Sequence, residues 1–198
     1  MFRRNIISKL EAWKQDKKHK SLILRGARQV GKTTVVNEFG SQFDNYLYFN
    51  LERNENAKLF EMEIPLDDLV NMLYASVGKV KKEGTTLVFI DEIQNSPKTI
   101  ALLRYFYEQR PNLYVIAAGS LLENLVDVKV SFPVGRVQYL ALRPCSFSEF
   151  LGAIGKNNLL AVLSQKAEYT VAFHEQLMHL FNQYTIVGGM PEAVQQYA

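Results

Sequence analysis

Short apolar runs rich in β-branched and aromatic residues alternate along this chain with longer segments whose apolar positions recur at helical spacing. That alternation is how a parallel sheet with crossover helices reads in sequence. Five strands are predicted: Ser21 to Arg25, Tyr46 to Leu51, Thr86 to Asp91, Leu113 to Ala118 and Val137 to Leu142. In the third, Leu87, Val88, Phe89 and Ile90 are apolar without a break, the pattern of a strand covered by helices on both faces, which places it inside the sheet. Between strands, Lys32 to Phe39 reads as a helix, and so does Leu66 to Lys82, with Leu69, Met72, Leu73 and Val77 along one face. Ser96 to Gln109 is a third: Ser96 caps it, Pro97 fits the first turn, Leu102, Leu103 and Phe106 form its stripe, and Pro111 lies just beyond. After Pro144 the strand pattern stops. Ser146 to Leu151, Leu159 to Ser164 and Ala167 to Tyr184 all carry helical period. The expected organisation is an α/β core over residues 1–144 and an α-helical lid over residues 145–198.

Composition narrows the class without changing this picture. The 198 residues are 47% hydrophobic and 22% charged, which excludes collagen-like, coiled-coil and disordered chains and leaves room for one sizeable core. A single cysteine, Cys145, cannot pair within the chain, so a disulfide scaffold is excluded and a reducing, cytoplasmic setting is expected. No apolar run reaches the roughly 18 residues of a membrane span, and Met1 to Trp13 lacks a signal peptide's apolar stretch, so neither secretion nor insertion is expected. Charge is close to balanced, 23 Lys and Arg against 20 Asp and Glu, for a net +3. That neither demands nor excludes nucleic acid. The basic cluster from Lys14 to Lys20 follows Leu10 and Trp13, where a helix ends, and reads as a solvated turn.

The chemistry begins at Gly26-Ala27-Arg28-Gln29-Val30-Gly31-Lys32-Thr33, a complete G-x-x-x-x-G-K-[ST] sequence that follows an apolar strand and opens a helix. Gly26 and Gly31 let the backbone curl so that successive N–H groups point at phosphate oxygens, helped by the positive end of the following helix. Lys32 reaches the β- and γ-phosphates as a mobile point charge, and Thr33 places its hydroxyl on Mg²⁺. The phosphate-contacting set therefore runs through Gly26, Ala27, Arg28, Gln29, Val30, Gly31, Lys32, Thr33 and Thr34.

Leu87 to Ile90 ends in Asp91-Glu92, the pattern of a Walker B strand. Ligands of open α/β sheets bind beyond the carboxyl ends of the strands, so Asp91 is placed to hold Mg²⁺ through a water and Glu92 to polarise an attacking water. The next strand ends in Ala117-Ala118-Gly119-Ser120. Ser120 either senses the γ-phosphate or holds the attacking water, or it caps a helix over Leu121 to Val126, with Glu123 at capping-box spacing, and the two roles are compatible. Gly135-Arg136 precedes the fifth strand. Arg136 is either a surface arginine in a glycine turn or a finger stabilising charge on the transferring phosphoryl group, which in trans requires self-association. Arg28 is a further candidate for a nucleotide or neighbour contact. His174-Glu175 and His179 fail as a metal pair because five positions on a helix set the imidazoles about 140° apart. Cys145 reads as an inert buried thiol.

With these pieces in order the chain resembles the AAA-like bacterial and archaeal ATPases that often precede a carboxyl-terminal domain of unknown function. The likeness rests on GARQVGKT at Gly26 to Thr33, LVFIDEIQ at Leu87 to Gln94, AAGS at Ala117 to Ser120, PVGR followed by LRPCSFSEFL up to Leu151, and GGMPEA at Gly188 to Ala193. It implies ATP as the nucleotide, Glu92 as the water-activating acid, Ser120 as a sensor, and Gly189-Met190-Pro191 as the entry to a winged-helix region that reports nucleotide state. It also implies a sheet order of fifth, first, fourth, third, second. Such proteins continue past the glycine-proline element, so a chain ending at Ala198 looks truncated. The expected activity is Mg-dependent ATP hydrolysis, with the nucleotide state passed to the lid. Rivals are a nucleotide-gated interaction switch with incidental hydrolysis, a small-acceptor kinase, against which Asp91-Glu92 argues, and a DNA-directed ATPase with an unknown partner.

Overall fold

The computed structural model describes residues 2–120, 135–165 and 170–198, with side chains 164 and 165 left out. Five strands form one sheet: β1 Ser21–Arg25, β2 Asn45–Asn50, β3 Thr86–Asp91, β4 Leu113–Gly119 and β5 Val137–Ala141. All neighbours run parallel, in the order β2-β3-β4-β1-β5. Read from the other edge, this is the order the resemblance implied. Each strand differs from its predicted bounds by at most one residue at either end. Every residue of β3 is buried, whereas β2, at an edge, alternates buried and more exposed positions. Strand exposure thus follows position in the sheet.

The described helices are α1 Ile6–Gln15, α2 Lys32–Gly40, α3 Asn54–Glu61, α4 Leu66–Ser76, α5 Pro97–Gln109, α6 Phe147–Ala153, α7 Asn157–Gln165, α8 Val171–Val187 and α9 Pro191–Tyr197. Helix α5 starts as its sequence dictates, with Ser96 accepting from the Thr99 amide and Pro97 in the first turn. Helix α4 stops at Ser76, short of the predicted Lys82. Gly78 adopts φ 63, and the Lys79 and Gly78 amides reach back to the Tyr74 and Ala75 carbonyls, a Schellman ending. Helix α3 was not predicted; Phe60 is its one buried residue. Helix α8 runs past the predicted Tyr184 to Val187, and its predicted start at Ala167 lies outside the described residues, as does the helix expected over Leu121 to Val126.

The described chain divides into two compact units. One comprises Leu10–Ala27 and Lys32–Leu142 and holds the sheet. Its main core joins Ile23, Val88, Ile90 and Val115 from the strands to Leu69 and Leu73 of α4 and to Ile100, Leu103 and Phe106 of α5. The other comprises Met1–Lys9, Arg28–Gly31 and Arg143–Ala198. Its cores are a leucine cluster of Leu151, Leu159, Leu177 and Leu180, and a group in which Cys145, Phe150 and Val194 are sealed by Phe2, Phe147 and Tyr184. No described helix is long and apolar enough to cross a membrane.

Candidate functional site

The loop after β1 turns through two left-handed residues, Gln29 at φ 63 and Gly31 at φ 89, before α2 begins at Lys32. Alternating backbone hands of this kind turn successive N–H groups inward and make an anion-binding concavity. The first-turn amides of α2 have no intrahelical acceptor and add the positive end of the helix to it. Val30 is buried and anchors the loop, while Ala27, Arg28, Gln29 and Thr34 are exposed. Lys32 is only 6% exposed, and its Nζ donates to the Gly26 and Ala27 carbonyls, each at 2.8 Å. The ammonium is thus folded back over the loop that encodes it.

Asp91 closes β3 at 2% exposure. Thr33 Oγ1 donates to its Oδ2 at 2.6 Å, so the start of α2 and the end of β3 are joined by the two groups expected to hold a metal. The Tyr48 hydroxyl, from β2, donates to the same oxygen at 3.4 Å, and the Glu92 amide donates to Oδ1 at 3.0 Å. Burial pushes the Asp91 carboxyl above its ordinary range, against the lowering effect of the Thr33 and Glu92 hydrogen bonds. Burial also raises the Tyr48 phenol, and the nearby Asp91 adds to it. Among the described residues no group of three or more His, Cys, Asp and Glu side chains is arranged to hold a metal. A hydroxyl and one carboxylate suit Mg²⁺, which binds through one or two protein oxygens and keeps waters and substrate phosphates for the rest.

Glu92 follows in the left-handed region, at φ 54 and ψ 44, with a short 3-10 turn, Ile93–Asn95, immediately after it. Its Oε2 accepts from the Gln94 side-chain amide, while Gln94 Oε1 is buried with no hydrogen-bond partner among the described residues. Gln94 and Tyr48 are site residues that sequence reasoning missed. Gln94 stood within the quoted LVFIDEIQ run; nothing in the sequence pointed to Tyr48 except its place near the end of β2.

Ser120 follows Gly119, which is in register with Arg25 at the root of the loop, so it stands at the same carboxyl edge of the sheet. It is 1% exposed, and its hydroxyl has no partner among the described residues. The helix it was expected to cap lies outside the described residues. Arg136 stands elsewhere. It precedes β5, whose first residue pairs with Ser21 at the start of β1, so it lies at the amino edge, about 15 Å of strand from the loop. There it is exposed and donates to Glu108 at 2.7 Å beside Arg104. It does not join the site of its own chain. The Cys145 thiol is buried and its pKa raised by that burial, in keeping with an inert group.

A Walker-type ATPase of Pyrococcus abyssi matches with a TM-score of 0.54 at 18% identity, over 98% of this chain and 66% of that one. A chain from the structure of Drosophila ORC bound to DNA matches with a TM-score of 0.52 at 14% identity, over 91% of this chain and 53% of that one. No curated protein matches the chain. The two likenesses bear on fold, and the chain spans less than two thirds of either relative. A family model described as an AAA domain matches residues 18–151, which run from before β1 into α6 and take in the phosphate loop, Asp91, Glu92 and Ser120. By that match, on a sheet of the P-loop ATPase order, the chain belongs to the AAA domain family.

Proposed function

We propose that the chain binds Mg-ATP and hydrolyses it at the carboxyl edge of its sheet. The observation that carries this reading is the 2.6 Å hydrogen bond from Thr33 to Asp91, which sets the end of the phosphate loop against the acidic end of β3. The Gly26–Gly31 loop and the first turn of α2 offer the phosphates their amides. Lys32 exchanges its two loop carbonyls for β- and γ-phosphate oxygens, a short swing for a side chain already over the loop. Thr33 and Asp91 hold Mg²⁺, which when bound neutralises charge on the β- and γ-oxygens. Glu92, steadied by Gln94, polarises the attacking water, and Ser120 offers the buried hydroxyl beside it. Arg136, on the opposite edge, acts only on the site of another copy. The helical region over residues 145–198 receives the nucleotide state, because Pro191 of the glycine-proline element lies within 3.7 Å of where a side chain on Gly31 would begin.

Phosphate release measured against protein concentration tests the whole reading. Lys32→Ala is expected to weaken ATP binding at least about tenfold through loss of a charge-assisted contact. Glu92→Gln is expected to bind as before and to turn over about 10²–10⁴-fold more slowly. ATP binding unchanged in the Lys32 variant refutes the phosphate cradle, and undiminished turnover in Glu92→Gln removes that residue from the chemistry.

A further inference from the structure

Arg4 is 3% exposed, and its guanidinium is spent on three acceptors. Nε donates to Glu149 Oε1 at 3.0 Å, Nη1 to the Val30 carbonyl at 3.0 Å, and Nη2 to the Arg143 carbonyl at 2.8 Å. A guanidinium presents its donors in a rigid planar fork on three separate nitrogens, whereas a lysine ammonium is a single point charge on a flexible stem. Glu149 is held in turn by the Asn5 amide at 2.7 Å and the Ser146 amide at 2.8 Å, the latter part of the capping box of α6. The charge pair is therefore buried, with every nitrogen of the guanidinium and both carboxylate oxygens hydrogen-bonded, and fixed in orientation.

The acceptor that matters is Val30, inside the phosphate loop. A trans peptide carries its carbonyl and the following N–H on opposite sides, so a carbonyl drawn toward Arg4 turns the Gly31 N–H away from it. Gly31, at φ 89, has no Cβ; one placed there would lie 3.7 Å from Arg4 Nη1, so the guanidinium stands directly behind this peptide. A charged donor on the carbonyl also polarises the peptide and makes its N–H a better donor. We infer that Arg4 is a positioning residue of the phosphate loop, clamping the Val30 carbonyl from behind so that the Gly31 N–H is fixed facing the anion. The G-x-x-x-x-G-K-[ST] sequence does not contain this residue. The inference rests on the proposed binding of ATP and adds to it the contact that shapes the loop before ATP arrives.

Two variants of the full chain test it. Arg4→Met alone strands the buried Glu149 carboxylate, so the informative protein is Arg4→Met/Glu149→Gln, which removes both charges together. Leu159→Ala opens a cavity in the separate cluster of Leu151, Leu177 and Leu180 and controls for lost stability. In the nucleotide-free protein, the Val30 carbonyl and Gly31 amide resonances are expected to shift in the double variant and to stay in Leu159→Ala. ATP affinity by calorimetry is expected to fall about tenfold in the double variant and to stay within about twofold of wild type in the control. Unmoved Val30 and Gly31 resonances, or an affinity matching the control, overturn the inference. If the wild-type chain binds no ATP while those resonances still follow Arg4, the clamp stands and the phosphate reading falls.

Discussion

Glu149 shows how a single buried side chain can make this protein sensitive to acid. Burial alone raises its carboxyl, but the Ser146 and Asn5 amides and the Arg4 guanidinium outweigh that and hold it below its ordinary 4.5. A carboxyl whose folded value is depressed contributes stability that is fully present above the unfolded value and is lost as pH falls through the folded one. Melting of wild type and Glu149→Gln should therefore differ most above the ordinary 4.5 and converge as pH falls below it through the depressed folded value. A gap that stays constant as the solution is acidified from neutral until the carboxyl is protonated would show that Glu149 does not titrate as described. Much of the placement of the candidate site was legible in the sequence: Lys32 and Thr33 open α2, and Asp91 closes β3 with Glu92 next to it, as their spacing put them, because a loop and a strand end are local features. What was not legible is what arrives from elsewhere in the chain. Arg4 and Tyr48 touch candidate-site residues only through folding, and no spacing rule announces them.

At the scale of elements, the strands were read nearly to the residue, and the helix ends less well. Gly78 carried the stop signal for α4, but the apolar spacing of the helix ran up to Val77 and masked it. Helix α3 buries only Phe60, so it leaves almost no apolar stripe for a periodic reading to find. Two glycines separate the physical causes. At Gly78 nothing lies within 4 Å of an added Cβ, so Gly78→Ala meets only the left-handed backbone and should cost about 1–2 kcal/mol. At Gly189 the backbone is not left-handed, but an added Cβ would come within 2.6 Å of the Cys145 carbonyl oxygen, which cannot step aside because the Cys145 amide is hydrogen-bonded to the Gly189 carbonyl. Gly189→Ala should therefore lose about 1–3 kcal/mol by crowding. Asparagine, which tolerates the left-handed region, separates the two in denaturant titrations: it should be accepted at 78 and be worse than alanine at 189.

At the scale of the whole molecule, local pattern supplied the strands, but the order came only from the resemblance, since nothing in a strand's own residues names its neighbour. Leu22 lies beside Ile116 on one side and Gln138 on the other. Both partners of β1 thus come from far along the chain, and a fragment ending at Gln109, which contains the phosphate loop, α2, β2, β3 and α5, should bind no ATP; binding comparable to the full chain would show that β1 holds the loop without its neighbours. Non-local pairings of this kind make folding slow. They also set a schedule for synthesis. Arg25 is made well before its partners in register, Gly119 and Ala141. The nascent chain therefore carries its phosphate loop without either flanking strand until Gly119 has been made, and without the second until Ala141 follows.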